Sequence, residues 1–212
     1  GSNAPQVAFR EDGDSADDWW RGIYRMTNNQ GQPEQVQDIH ALRISGGKSL
    51  NCYNRGNAIW CRGQNQNQNP VNSPVTGYMG QQNQLFPLRD LSVGEGVGCL
   101  VGADGCVRCW GSNQEGQRGN GNTDHPGNFH QATEVNAFCG DNPSLGGGMV
   151  TNVEVGAMHV CVSTANGVNV WCWGNTSQGQ AGFDSPGVNR CTCPNRVRFD
   201  NVAPSCPGDC RN

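Results

Sequence analysis

Short apolar runs broken by turn residues recur along the chain, and residues 152–182 show the pattern most clearly. There Val153, His159 and Cys161 lead to Asn166-Gly167, and Val170-Trp171-Cys172-Trp173-Gly174 follows. Asn-Gly between strand-forming residues is the strongest short signal of a two-residue hairpin turn. A chain reversed about Asn166-Gly167 sets Cys161 opposite Cys172. Opposed residues in antiparallel strands have Cα atoms roughly 4.5–5.5 Å apart, which is disulfide distance. The pattern therefore predicts a cross-strand disulfide.

The same reading applies twice more. Cys52 and Cys61 are centred on Gly56-Asn57, and Cys99 and Cys109 on Asp104. The latter gives a three-residue loop, Ala103-Asp104-Gly105, with Gly105 at the left-handed bulge position. Five residues before each first cysteine stands a glycine (Gly47, Gly94, Gly156), and two after each second stands another (Gly63, Gly111, Gly174). Agreement of spacing, turn chemistry and flanking glycine marks an internal repeat. The closing glycines at 63, 111 and 174 are 48 and 63 residues apart, so 212 residues hold about four units.

These units run roughly over 5–35, 36–87, 88–150 and 151–200, with a tail at 201–212, in a single domain. The first is degraded: Val7 to Phe9 and Ile23 to Met26 read as strands around an acidic loop. Asn28, Gly31 and Gln32 repeat the spacing of Asn113, Gly116 and Gln117. In the second, Ile39, Leu42 and Ile44 lead to Gly47, and the Gln/Asn run after Gly63 reads as a solvated loop. Residues 71–88 and 118–150 read as insertions. Beyond 182 a Cys/Pro-rich stretch precedes one more short strand, expected at Val197-Arg198-Phe199, which in a closed ring would complete the first unit.

Composition agrees with strands and turns. Charged residues are 15% of the chain and glycines number 31, with Asn and Gln making up the polar remainder. Such residues favour turns over long helices. The formal net charge is −4 with a single lysine, Lys48, which leaves no basic footprint for nucleic acid. No apolar run approaches the roughly 18 residues of a membrane helix. The chain begins with Gly1, which is read as a mature or trimmed form.

Twelve cysteines point to an oxidising compartment, and the protein is expected to be secreted or at a cell surface. Six thiols stay unassigned, Cys106, Cys139, Cys191, Cys193, Cys206 and Cys210. Cys106 with Cys139 would pin the long insertion. Cys191 and Cys193 share a strand face and pair elsewhere, with Cys206 and Cys210 nearby. Asp12, Asp14, Asp17 and Asp18 are candidate calcium ligands, since calcium takes carboxylate oxygens; the default for such a loop is solvated acid. No other cofactor is expected. His159 aligns with Leu50 and Val97 and reads as a packing position. Trp60, Trp110, Trp171 and Trp173 flank the cysteines and are expected to alternate across the strand faces and pack between units. Asn175-Thr176-Ser177 is a glycosylation sequon.

Gly156, His159, Cys161, Gly167, Trp171-Cys172-Trp173-Gly174 and Gly179-Gln180 together resemble the regulator of chromosome condensation repeat, in its cysteine-paired extracellular variety. The resemblance is strongest over 88–117 and 151–182. It implies a β-propeller, usually of seven blades of about fifty residues. The expected fold is thus all-β, a propeller-like array of about four blades built from disulfide-clamped hairpins, either a small closed ring or an open arc completed by oligomerisation. No catalytic constellation is visible. The expected role is a non-enzymatic extracellular protein that binds other protein subunits, chiefly itself, in an oligomer or filament. The alternatives are a propeller-type inhibitor of a secreted enzyme and a carbohydrate-binding, lectin-like module.

Overall fold

The computed structural model describes residues 6–8, 23–26, 33–36, 43–48, 50–55, 58–64, 70–75, 88–124, 131–139, 149–165, 169–182 and 189–197. The described chain is all-β. A first sheet joins β1 (Gln6–Ala8), β2 (Ile23–Met26) and β3 (Pro33–Val36) in that order. Three four-stranded antiparallel sheets follow. The second holds β4 (Ile44–Gly46), β5 (Leu50–Arg55), β6 (Ala58–Gln64) and β7 (Pro70–Pro74). The third holds β8 (Leu88–Val93), β9 (Val97–Gly102), β10 (Val107–Gly111) and β11 (Thr133–Glu134). The fourth holds β12 (Val150–Val155), β13 (His159–Thr164), β14 (Val170–Asn175) and β15 (Arg190–Arg196). In each sheet every strand pairs with its sequence neighbour, so each is a meander, the blade of a propeller.

The central hairpins of the last three blades share one register. Cys52 faces Cys61, Cys99 faces Cys109 and Cys161 faces Cys172. Each pair is disulfide-bonded, with Cα atoms 4.1, 4.1 and 4.2 Å apart. In the chain-entropy picture a loop of this size is worth about 2.7 kcal/mol per staple. Cys106 is joined to Cys139, which ties the loop of the β9–β10 hairpin to a short 3-10 turn at Asn136–Phe138. Cys191 and Cys193 are also disulfide-bonded, to partners outside the described residues. Gly105 has φ +76°, as the three-residue loop requires.

The outer strands depart from expectation. Pro33–Val36 pairs with β2, Val36 facing Ile23, so Val36 closes the first sheet instead of opening the second unit. Strands β7 and β11 lie inside the two expected insertions, and β15 inside the Cys/Pro-rich stretch. Val197 follows β15 and donates its N–H to Val170 O at 2.8 Å, so it extends the fourth blade and not the first. Arg198 and Phe199 lie outside the described residues. Prolines at both ends of β7 and within β15 hide these strands from a pattern search. An outermost strand has a free edge, so a missing N–H there is tolerated.

Blades stack face to face. Residues adjacent along a strand point to opposite faces, so each sheet has a disulfide face and a reverse face. Leu50, Cys52, Ile59 and Cys61 of the second blade pack on Leu91, Leu100 and Trp110 of the third. Cys99, Val101, Val107 and Cys109 of the third pack on Val153, Val160, Val162 and Trp173 of the fourth. The disulfide face of one blade thus rests on the reverse face of the next. The four tryptophans do not alternate: each neighbours a cysteine, so all stand on reverse faces.

Glycine sets how closely the blades approach. Gly47, Gly94 and Gly156 open the same turn, their N–H groups donating to Leu50 O, Val97 O and His159 O at 2.7, 2.9 and 2.9 Å. A Cβ at Gly47 would meet the carbonyl oxygen of Gly94, and one at Gly94 that of Gly156. The spacing seen in the sequence is therefore a stack of backbone turns in contact, which excludes a side chain.

Candidate interaction face

The inner strands carry a second repeated device. Ser45 Oγ accepts from Val93 N at 2.9 Å, Ser92 Oγ from Val155 N at 3.0 Å, and Asp90 Oδ2 from Val153 N at 2.9 Å. The N–H groups capped in this way lie along the inner strand of the following blade, whose outward edge has no strand partner in its own sheet. Ser45 faces Cys52 and Ser92 faces Cys99, so both project from disulfide faces. In the fourth blade Glu154 faces Cys161 at the same register, and Asn152 faces Ser163 where Asp90 faces Val101.

That fourth disulfide face is different from the others. Cys52, Cys61, Cys99 and Cys109 are each 0% exposed, and so are Leu50 and Val97. Cys161 and His159, at the matching positions, are partly exposed, and Asn152 and Glu154 are exposed. The apolar cluster here draws on the fourth blade alone, Cys172, Ala181 and Cys191 with Cys161, Val170 and Val197 at its margin. His159 is therefore not sealed between blades as Leu50 and Val97 are. Its ring lies against Gly156, and partial burial holds the imidazole below its ordinary pKa.

The closing loops complete the junctions. Gly116 N and Gly119 N donate to Asn113 O and Gly116 O, and Gly179 N and Gly182 N to Thr176 O and Gly179 O. Trp173 Nε1 donates to Gln117 O at 2.7 Å, and Asn175 Nδ2 to Glu115 Oε2 at 3.1 Å. The sequon asparagine is thus a strut between blades, its Oδ1 held by Ser177 and Gln180.

Asp12, Asp14, Asp17 and Asp18 lie outside the described residues. Among the described residues Cys106, Glu134 and Cys139 lie close enough to share a metal, but their two sulfurs are joined to each other. Arg108 is neutralised by Asp104 and Glu134, both at 3.0 Å, as a structural ion triad. No helix among the described residues is long and apolar enough to cross a membrane. What the arrangement offers is a surface for binding.

Meander blades stacked face to face make a β-propeller fold, and solved RCC1-type propellers share it. Human WBSCR16 is 16% identical, with a TM-score of 0.61 over 83% of this chain and 47% of its own. Prp20p from Saccharomyces cerevisiae, studied for its binding to Gsp1p and histones, is 15% identical, with a TM-score of 0.65 over 84% and 47%. Yeast RCC1 (Prp20) bound to Kap60 gives 15% and 0.60 over 86% and 46%. The chain spans about half the length of these proteins. No protein-family model and no curated protein matches its sequence.

Proposed function

We propose that the chain is a non-enzymatic, secreted interaction protein that assembles with further copies of itself outside the cell. One observation carries this reading: the disulfide face that is sealed in the second and third blades is open along the inner strands of the fourth, at Asn152, Glu154, His159 and Cys161. Blades bury that face against the next blade, and a sheet face left uncovered is a site of association. The disulfides support an oxidising location, since such bonds persist outside reducing compartments. The binding of Gsp1p and histones studied for Prp20p supports a protein as the partner class. The experiment is sedimentation of the oxidised protein over a wide concentration range, with negative-stain images at the upper end. Growth in mass with concentration is the expected result, and a strictly monomeric particle throughout overturns the reading.

A further inference from the structure

The capping of one inner strand by the preceding blade follows a rule that can be continued past the last described blade. Ser45 serves Val93, and Asp90 and Ser92 serve Val153 and Val155. Each acceptor stands on a disulfide face at a fixed register, and each donor is a backbone N–H that its own sheet cannot satisfy. In the fourth blade the same two registers hold Asn152 and Glu154. The Asn152 side chain has no hydrogen-bond partner among the described residues. Glu154 accepts only from Ser92 Oγ, at 3.5 Å, and keeps its second oxygen open. Both are acceptors with nothing to cap.

We infer that Asn152 and Glu154 are the next rung of this ladder, and that they accept backbone N–H groups from the leading sheet of a second copy of this chain, docked head to tail. The inference rests on the self-assembly reading and adds the surface, its direction and the bonding groups. Three observations favour a second copy as the occupant. The contact continues an interface the molecule already forms between its second and third and between its third and fourth blades. The fourth face also has the composition of a surface that meets water before it meets a partner. Histidine stands where Leu50 and Val97 are buried, and glutamate where Ser45 and Ser92 are, whereas a face sealed during folding carries apolar groups. Met158, 42% exposed in the turn beside His159, adds an apolar anchor at the rim. Finally, the array superposes on propellers of which it spans 47%, so blades set at their pitch complete about half a turn. At that pitch the fourth face is not closed by the chain's own described blades. Because different faces meet, the contact is heterologous and closes into a ring or continues as a filament.

The test is sedimentation velocity on the oxidised wild type, an Asn152→Arg/Glu154→Arg variant and a Ser45→Ala variant, with melting followed for each. The arginine variant turns two acceptors into donors at exposed positions. It is expected to weaken self-association at least about tenfold while melting like wild type. Ser45→Ala removes a rung inside the molecule, and is expected to lower the melting temperature and leave association unchanged. The milder Asn152→Ala/Glu154→Ala pair, expected to weaken association several-fold, decides the matter if the arginine variant misfolds. Undiminished association of folded double variants overturns the docking mode and leaves self-assembly standing. A wild type that never associates overturns both.

Discussion

Trp110 and Trp173 occupy the same place in consecutive blades, one residue past the second cysteine, yet they are held differently. Trp110 faces Gly98 in its own sheet, and a Cβ at Gly98 would strike its ring. Its indole N–H has no acceptor among the described residues. Trp173 faces Val160 instead, and its indole lies beside Gly119 of the preceding blade and donates to Gln117 O at 2.7 Å. Phe138, ring centroid 5.9 Å away, covers it. The loop that receives Trp173 carries Gly111, Gly116 and Gly119, all at positive φ. In the second blade Gly63 matches Gly111, but the Gln/Asn run after it lacks counterparts of Gly116 and Gly119. A tryptophan in one repeat thus depends on the turn chemistry of the repeat before it. Both junctions are packed and capped at the strand edge, but only that between the third and fourth blades adds a buried tryptophan hydrogen bond among the described residues.

The change expected to cost most disturbs both junctions together. Gly94→Ala places a methyl against the carbonyl of Gly156 while Gly94 already abuts Gly47, so backbone must move on two sides. A loss of roughly 3 kcal/mol or more is expected in chemical denaturation of the oxidised protein. Next comes the tryptophan pair. Trp173→Phe should cost about 1 kcal/mol more than Trp110→Phe, because only the former abandons a hydrogen bond and strands a buried carbonyl. Equal losses would remove the distinction between the junctions. Ser92→Ala and Ser45→Ala should each cost about 1 kcal/mol and by similar amounts, since each uncaps one strand-edge N–H. Unequal values would locate a further difference.

The smallest effect concerns His159. Burial lowers its folded pKa, so the unfolded chain binds the proton more readily. Stability is then full above the ordinary histidine pKa, near 6.5, and declines as pH falls from there toward the lowered folded value. His159→Val, which copies the third blade, should flatten that dependence in melts between about pH 7 and pH 5.

The hairpins were legible because two signals coincide in each. Turn residues fix where the chain reverses, and the cysteines then show which residues face each other. Glycines at Gly47, Gly94 and Gly156 were visible as spacing, but their cause is contact between turns far apart in sequence, which no local pattern encodes. Strands β7, β11 and β15 were hidden because an edge strand tolerates proline and needs few apolar residues. His159 misled for a related reason. Its alignment with Leu50 and Val97 identified the position correctly, yet burial depends on the blade that follows, and here no described blade covers it. The candidate face was thus present in the sequence as three exchanges, Glu154 for serine, Asn152 for Asp90 and His159 for an aliphatic residue. Their meaning needed the stacking order.

Capping by the preceding blade gives the molecule a grain. Removing the fourth blade would leave, along the strand edge, side-chain acceptors that water satisfies at little cost, although it would also bare the apolar disulfide face of the third. Removing material from the leading end strips hydroxyl and carboxylate caps from amides that then face solvent along a bare β edge, the template on which unrelated chains aggregate. At the strand edges, therefore, loss of leading material leaves bare amides, whereas loss of trailing material leaves only their caps.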